Sequence, residues 1–237
     1  NAKMKQRIEE LGFLPYYREM DFGRYDADKE NAAYFKEHEA ELQQAWNLLA
    51  DDKSRSILQN LVHYRISRDL KLLAGLEEKN QYFPPKDEIP ILWAGADVFL
   101  DLGAYDGDSL RGFIAYANDT YKKIIAVEAS RKNYEMLVQN TKMFSRVQCV
   151  NIGIHKEKGQ VRFEVSDAKN SFASEDGTSV LEVDTVDHIL NGEVVTTIKM
   201  DIEGAEYDAI LGMEKTLENH PVLMVSIYHK VEDLFRL

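Results

Sequence analysis

The second part of the chain alternates two kinds of segment, and this alternation restricts its fold more than any other feature. From residue 97 onward, short apolar runs rich in β-branched residues are separated by stretches with helical spacing. Strands that alternate with helices are typical of a mostly parallel sheet covered by helices on both faces. We therefore predict an α/β fold with strands at 98–102, 124–127, 147–154, 161–165, 180–183, 195–200 and 222–228, and with helices at 109–117 and 132–141.

The first part of the chain has a different pattern, because its apolar residues recur every three or four positions, as they do on one face of a helix. One such stripe lies in 42–49, and a second in 57–66 follows an Asp-Asp pair that can cap a helix. The Tyr-Phe-Pro-Pro run at 82–85 cannot continue a helix. The sequence thus predicts a helical segment at 1–90 and an α/β domain at 91–237. The helical segment is expected either to cover the site of the α/β domain or to form a homodimer.

Charge and composition exclude several classes of protein. The chain has 29 Lys and Arg against 41 Asp and Glu, a formal net charge of −12. Binding through phosphate contacts needs clustered basic residues, so a nucleic-acid partner is not expected. No apolar run approaches the roughly 18 residues of a membrane span, and the first residues do not resemble a signal peptide. We expect a soluble, cytoplasmic protein whose one cysteine, Cys149, excludes an internal disulfide, and whose His and Cys spacing predicts no metal site.

The first predicted strand runs into a glycine-containing turn and then a helix, an order that favours binding of an adenosine-containing ligand. The turn has the pattern G-x-x-x-G, whereas a dinucleotide site has G-x-G-x-x-G. Tyr105 stands nearest to the position of the second dinucleotide glycine, and Asp106 and Asp108 would place negative charge beside a pyrophosphate. These residues argue against NAD.

The same turn suits S-adenosylmethionine, which has no phosphate and carries two cationic groups. Asp101 at the strand end can meet the methionine moiety, and Gly103 and Gly107 let the backbone close around it. Glu128 follows the second strand, 25 residues after Gly103, where a carboxylate can accept hydrogen bonds from both ribose hydroxyls. The residues expected around the adenine are Asn151, Ile152 and Ser171.

Four blocks of the sequence, in this order, resemble the FkbM family of S-adenosylmethionine-dependent methyltransferases. Residues 101–109 are similar to that family's D-x-G-A-x-x-G signature, and Glu128-Ala129 to its segment after the second strand. Residues 199–206 closely resemble its K-x-D-x-E-G-x-E block, and 226–229 resemble the end of its fifth strand. The similarity extends from about residue 80 to the end of the chain.

The resemblance implies a Rossmann-like class I methyltransferase sheet and S-adenosylmethionine as cofactor. It also implies in-line methyl transfer to a hydroxyl, commonly on a sugar, glycolipid or secondary metabolite, so the partner is a small-molecule or saccharide acceptor. That fold normally has two further strands beyond the point where this chain stops, so we expect a truncated sheet. The implied cofactor-binding residues are Asp101, Gly103, Tyr105, Gly107, Ser109, Glu128, Ala129, Asn151, Ile152, Ser171 and Asp201.

Ionisable residues also gather after the strands at 195–200 and 222–228. An alcohol is a poor nucleophile, so methyl transfer to it needs a base or a metal. We predict that His229 acts as base or orients the acceptor, with Asp201 and Glu203 near the sulfonium and the acceptor. Two alternatives stay open for these carboxylates together with Glu206: a Mg²⁺ site, or a helix start in which acidic residues complement the helix dipole.

Two other functions remain as alternatives to a catalytic O-methyltransferase. A module that binds S-adenosylmethionine without turnover would keep Glu128 and the glycine turn but lack a base. A nicotinamide-dependent oxidoreductase is disfavoured by the tyrosine and the aspartates of that turn.

Overall fold

The computed structural model describes residues 28–76, 81–85, 98–164, 172–173 and 179–237. The helices are α1 (Ala32–Glu37), α2 (Glu39–Leu48), α3 (Asp52–Ser67), α4 (Asp108–Tyr116), α5 (Arg131–Thr141), α6 (Val186–Leu190), α7 (Glu206–Leu211), α8 (Glu214–Leu217) and α9 (Asp233–Arg236), with a 3-10 helix at Leu70–Leu73. The strands are β1 (Val98–Leu102), β2 (Lys123–Val127), β3 (Val147–Val150), β4 (Gly153–Ile154), β5 (Gly159–Glu164), β6 (Phe172–Ala173), β7 (Ser179–Asp184), β8 (Thr197–Met200) and β9 (Val222–Val225).

The described residues form two compact units. We call the first the helical unit; it contains the described residues up to Leu76 together with Ile227–Leu237. The second, the sheet unit, contains the described residues from Gln81 to Ser226. None of the helices in the described part of the chain has the length and apolar character that crossing a membrane requires.

The helical unit has its own core, and helices are confirmed within residues 28–76 of the predicted segment, whose bounds stay a prediction. The Asp51 side chain accepts a hydrogen bond from the Ser54 N–H and so caps α3. The apolar stripe of α2 packs, with residues of α3, against a buried cluster that also takes in the C-terminal residues. The buried members of this cluster are Phe35, Leu58, Val231 and Leu234.

A buried ionic cluster adds a polar link within the helical unit. The side chain of Glu30 has no exposed area and pairs with the guanidinium groups of Arg65 and Arg68. Arg65 also donates to the backbone carbonyl of Tyr228 over 2.6 Å. A buried carboxylate is tolerated only with such partners, so this cluster joins α3 to the chain that follows β9.

The sheet unit is built on a parallel five-stranded sheet in the order β3-β2-β1-β8-β9, as the α/β prediction requires. Residues of the central strand alternate between two cores: Leu100 lies in one core and Phe99 in the other. The core around Phe99 includes residues of α4 and α5, and the core around Leu100 includes residues of α6 and α7. Helices therefore cover both faces, which explains why β1, β2 and β8 are buried almost throughout.

The predicted strand at 147–154 is wrong in one respect, because it is two strands in two sheets. β3 pairs with β2, whereas β4 joins a second, mixed sheet in the order β4-β7-β5-β6. Between them, the Asn151 amide donates to the carbonyls of Glu128 and Ala129, and the chain changes its pairing partner there. An unbroken apolar run does not reveal such a change of partner, since both strands need apolar residues.

Candidate functional site

The backbone ladder continues one step past each strand end, and it brings the predicted loops to one edge of the sheet unit. The Gly103 N–H donates to the carbonyl at the end of β2, and the Asp201 N–H donates to that at the end of β1. The Glu128 and Ser226 N–H groups make the corresponding bonds to β3 and β8. This arrangement places the glycine turn, Glu128 and Asp201 at the carboxyl edge, where α/β sheets bind ligands.

The glycine turn after β1 has left-handed backbone at three positions. Gly103 has φ +78°, Tyr105 +46° and Gly107 +89°. A Cβ atom on Gly103 would lie 2.0 Å from the carbonyl oxygen of Asp201, so only glycine allows this approach of the two loops. Gly107 immediately precedes α4. The pattern G-x-x-x-G is therefore explained by local backbone demands, whatever ligand the turn holds.

Glu128 is fixed beside this turn by its own carboxylate. Its Oε2 accepts a hydrogen bond from the Tyr105 N–H over 2.9 Å, and its Oε1 accepts one from the Ser130 N–H over 2.8 Å. The residue is 8% exposed, and burial raises the pKa of its carboxyl group, although the two N–H donors oppose the rise. The Asn133 side chain also hydrogen-bonds to this carboxylate. A carboxylate has about four acceptor positions, so one position remains beyond these three donors.

Other residues predicted around the adenine have structural roles of their own. Asn151 braces the chain after β2 through its amide, as described above, and Ala129 supplies one of the two carbonyls that it binds. Ile152 is partly buried against the core around Leu100. Ser171 lies outside the described residues. Contacts of these residues with an adenine stay predictions.

Asp101 lies beneath the glycine turn, and none of its surface is exposed. Its Oδ2 accepts the hydroxyl of Ser109 over 2.6 Å, and its Oδ1 lies 3.3 Å from the ammonium of Lys199. The pairing register places Asp101 directly opposite Lys199 on the neighbouring strand. A buried lysine on β8 needs such a partner, and the identity of the partner follows from the sheet order.

Tyr82 is a site residue that the sequence analysis missed. Its hydroxyl donates to Oδ2 of Asp201 over 3.1 Å and lies 3.3 Å from the Ser226 hydroxyl. Burial, together with the carboxylates of Asp201 and Asp101, raises the pKa of Tyr82, which keeps the phenol protonated. Its ring lies 5.6 Å from the Lys199 ammonium. No sequence signal marks this contact, because Tyr82 belongs to the run at 82–85 that resembles a domain boundary.

The loop after β8 carries two more of the predicted acidic residues. Glu203 is partly buried and has φ +58°, and Gly204 has φ +93°, so the backbone turns sharply here. Glu206 is fully buried, and its Oε1 accepts the Ile202 N–H over 2.9 Å. Glu206 thus closes the loop at the start of α7, and both alternatives for these carboxylates, a Mg²⁺ site and a helix start, stay predictions.

His229 does not end a strand, and that part of the prediction is wrong. β9 ends at Val225, and His229 belongs to the helical unit. The carbonyl of Tyr228 accepts its hydrogen bond from Arg65, so the chain has left the ladder by this point. The rings of Tyr228 and His229 contact each other with centroids 4.1 Å apart. The catalytic role of His229 stays a prediction.

A parallel sheet with helices on both faces and a glycine turn at its carboxyl edge defines the Rossmann-like class of α/β domains. The family model for the methyltransferase FkbM domain matches residues 101–235, more than half of the chain. The chain belongs to the FkbM methyltransferase family.

Among the solved structures similar to this chain, one supports this fold. A crystal structure of methyltransferase FkbM from Methylobacillus flagellatus KT has a TM-score of 0.72 at 22% sequence identity, over 86% of this chain and 52% of that one. The chain thus spans about half the length of that structure. A crystal structure of PRMT6-SAH has a TM-score of 0.35 at 12% identity, over 66% of this chain and 46% of that one. No curated protein sequence matches the chain.

Proposed function

We propose that the chain binds S-adenosylmethionine at the carboxyl edge of β1, β2 and β3 and transfers its methyl group to a hydroxyl. The observation that carries the proposal is the Glu128 carboxylate, which two backbone N–H donors hold at the end of β2. One of these donors belongs to Tyr105 in the glycine turn, so the turn and the carboxylate have a fixed relation. Membership of the FkbM methyltransferase family gives the same reaction class.

The residues present fit this cofactor. The Glu128 carboxylate keeps one acceptor position beyond its three donors in the chain, and a ribose hydroxyl is a donor that matches it. Acidic side chains around the edge of the sheet suit a cation better than a pyrophosphate. When bound, the cofactor supplies an electrophilic methyl group on a sulfonium.

The acceptor side is assigned to the loop after β8. Methyl transfer requires an acceptor oxygen held in line, about 3 Å from the methyl carbon, and a group that takes its proton. Asp201 is available to orient this oxygen, because Tyr82 holds one of its carboxylate oxygens in a fixed position. Carboxylates at Asp201 and Glu203 favour a neutral hydroxyl, such as that of a sugar, glycolipid or secondary metabolite, over a phosphorylated acceptor. Proton removal by His229, pairing of two chains through the helical unit and a cytoplasmic location stay predictions.

Calorimetric titration of the chain with S-adenosylmethionine tests the proposal. The wild type should bind, and Glu128→Ala should bind at least about tenfold more weakly, because a hydrogen bond to a charged acceptor is lost. Glu135→Ala is the matched control, since Glu135 lies on the exposed side of α5 in an ion pair with Arg131. A folded wild type that does not bind at millimolar cofactor would refute the proposal.

Transfer is tested separately, by formation of S-adenosylhomocysteine with a panel of simple sugars. His229→Ala should then lower turnover and leave cofactor affinity unchanged. Cofactor binding by the wild type without any transfer would favour the non-catalytic module instead.

A further inference from the structure

We infer that Lys199 is a positioning residue, which holds the glycine turn in its cofactor-binding conformation from beneath. The inference deepens the proposed function and rests on it. Lys199 is 4% exposed, and its ammonium donates to the carbonyl of Gly103 over 2.8 Å. Because the side chain is buried and its ammonium donates to this carbonyl, its effect on binding is expected to act through the turn.

The ammonium also joins the turn to the first turn of α4. It lies 3.3 Å from Oδ1 of Asp101, whose other oxygen accepts the Ser109 hydroxyl. One buried ion pair therefore holds Gly103 at the start of the glycine turn and Ser109 just after its end. This geometry assigns Asp101 to the framework beneath the turn, in place of the direct contact with the methionine moiety that the sequence predicts.

The backbone of the turn explains why it needs such support. Tyr105 has a left-handed backbone that is unfavourable for a residue with a side chain, and its N–H must still reach the Glu128 carboxylate. Strained backbone of this kind persists only where surrounding contacts fix it. When a binding-competent conformation falls to about a tenth of the population, the apparent dissociation constant rises about tenfold.

Two variants separate support of the turn from simple charge balance. Lys199→Met keeps the length of the side chain but leaves the buried Asp101 carboxylate without its cation, so it lowers stability as well as cofactor affinity. Lys199→Met combined with Asp101→Asn removes both charges and is expected to regain most of the stability. The Gly103 carbonyl still lacks its ammonium donor in this double variant.

The measurements are titration calorimetry with S-adenosylmethionine, urea unfolding, and hydrogen exchange of the amides in 103–107. We expect the double variant to bind about tenfold more weakly than the wild type, with faster exchange confined to the glycine turn. The matched control is Lys123→Met, which removes a lysine from the start of β2 that pairs with Glu193. This control should bind the cofactor as the wild type does.

The outcomes distinguish this inference from the proposed function. A wild type that fails to bind the cofactor refutes the proposed function itself. A wild type that binds, together with a folded double variant whose affinity is within twofold of it, overturns the role of Lys199 and leaves the proposed function intact. Should Lys199→Met not fold, the double variant alone decides.

Discussion

Gly103→Ala is expected to destabilise the sheet unit far more than the same substitution at a glycine with open space around it. Gly103 has φ +78°, and a left-handed backbone disfavours alanine by roughly 1–2 kcal/mol. The new Cβ would also lie 2.0 Å from the carbonyl oxygen and 2.9 Å from the carbonyl carbon of Asp201. Both atoms belong to the backbone, so the loop after β8 must move, at a further cost of about 1–3 kcal/mol. The two effects together predict a loss of about 2–5 kcal/mol.

Gly192→Ala supplies the matched control. Gly192 has φ +87°, and a Cβ there would meet nothing within 4 Å, so it adds only the backbone strain of roughly 1–2 kcal/mol. Both glycines lie in the sheet unit, so one urea transition reports on both. If the free energies of unfolding of the two variants differ by less than about 0.5 kcal/mol, the close approach of the two loops does not exist as described.

Three further predictions concern ionisable groups. Because burial raises the pKa of Glu128, its carboxylate takes up a proton at a higher pH than a free glutamate. Cofactor affinity, measured by calorimetry, should therefore fall as the pH is lowered through that pKa. The free energy of unfolding, measured with urea, should rise over the same range, because the folded state binds an extra proton. Tyr82→Phe keeps the ring but removes the hydrogen bond to Asp201, so the free energy of unfolding measured with urea should fall by about 1 kcal/mol. Its affinity for the cofactor should stay within twofold of the wild type. Arg65→Met leaves the wholly buried Glu30 short of one cation and should destabilise by about 3 kcal/mol, and a loss below about 1 kcal/mol would show that the pair is not buried.

The sheet could be predicted from the sequence because its strands are buried on both faces. Such strands appear in the sequence as continuous apolar runs. The bounds of β1 and β2 agree with the predicted strands to within one residue. The helix starts are equally local, since Ser130 caps α5 through its own side chain. Glu128 and the glycine turn follow from these strands directly, because residues after parallel strands share one edge.

The remaining parts of the site depend on contacts between distant parts of the chain. Tyr82 and Asp201 form a hydrogen bond although they are 119 positions apart in the sequence. The sequence around either residue does not indicate this contact. The break between β3 and β4 depends on which strand each one pairs with, which composition does not encode. The sequence predicts a strand end at His229 because the apolar run continues to Tyr228. In the structure, the carbonyl of Tyr228 accepts a hydrogen bond from a side chain of α3 instead.

The close approach at Gly103 has a consequence for engineering this protein. The turn after β1 and the loop after β8 share a backbone contact, a lysine and a buried aspartate, so neither has an independent shape. A chimera that takes only 199–206 from a relative keeps the original turn at 101–109. That turn fits the original loop after β8 and not the new one. Altered acceptor preference is therefore best sought by transplanting 101–109 and 199–206 as a pair.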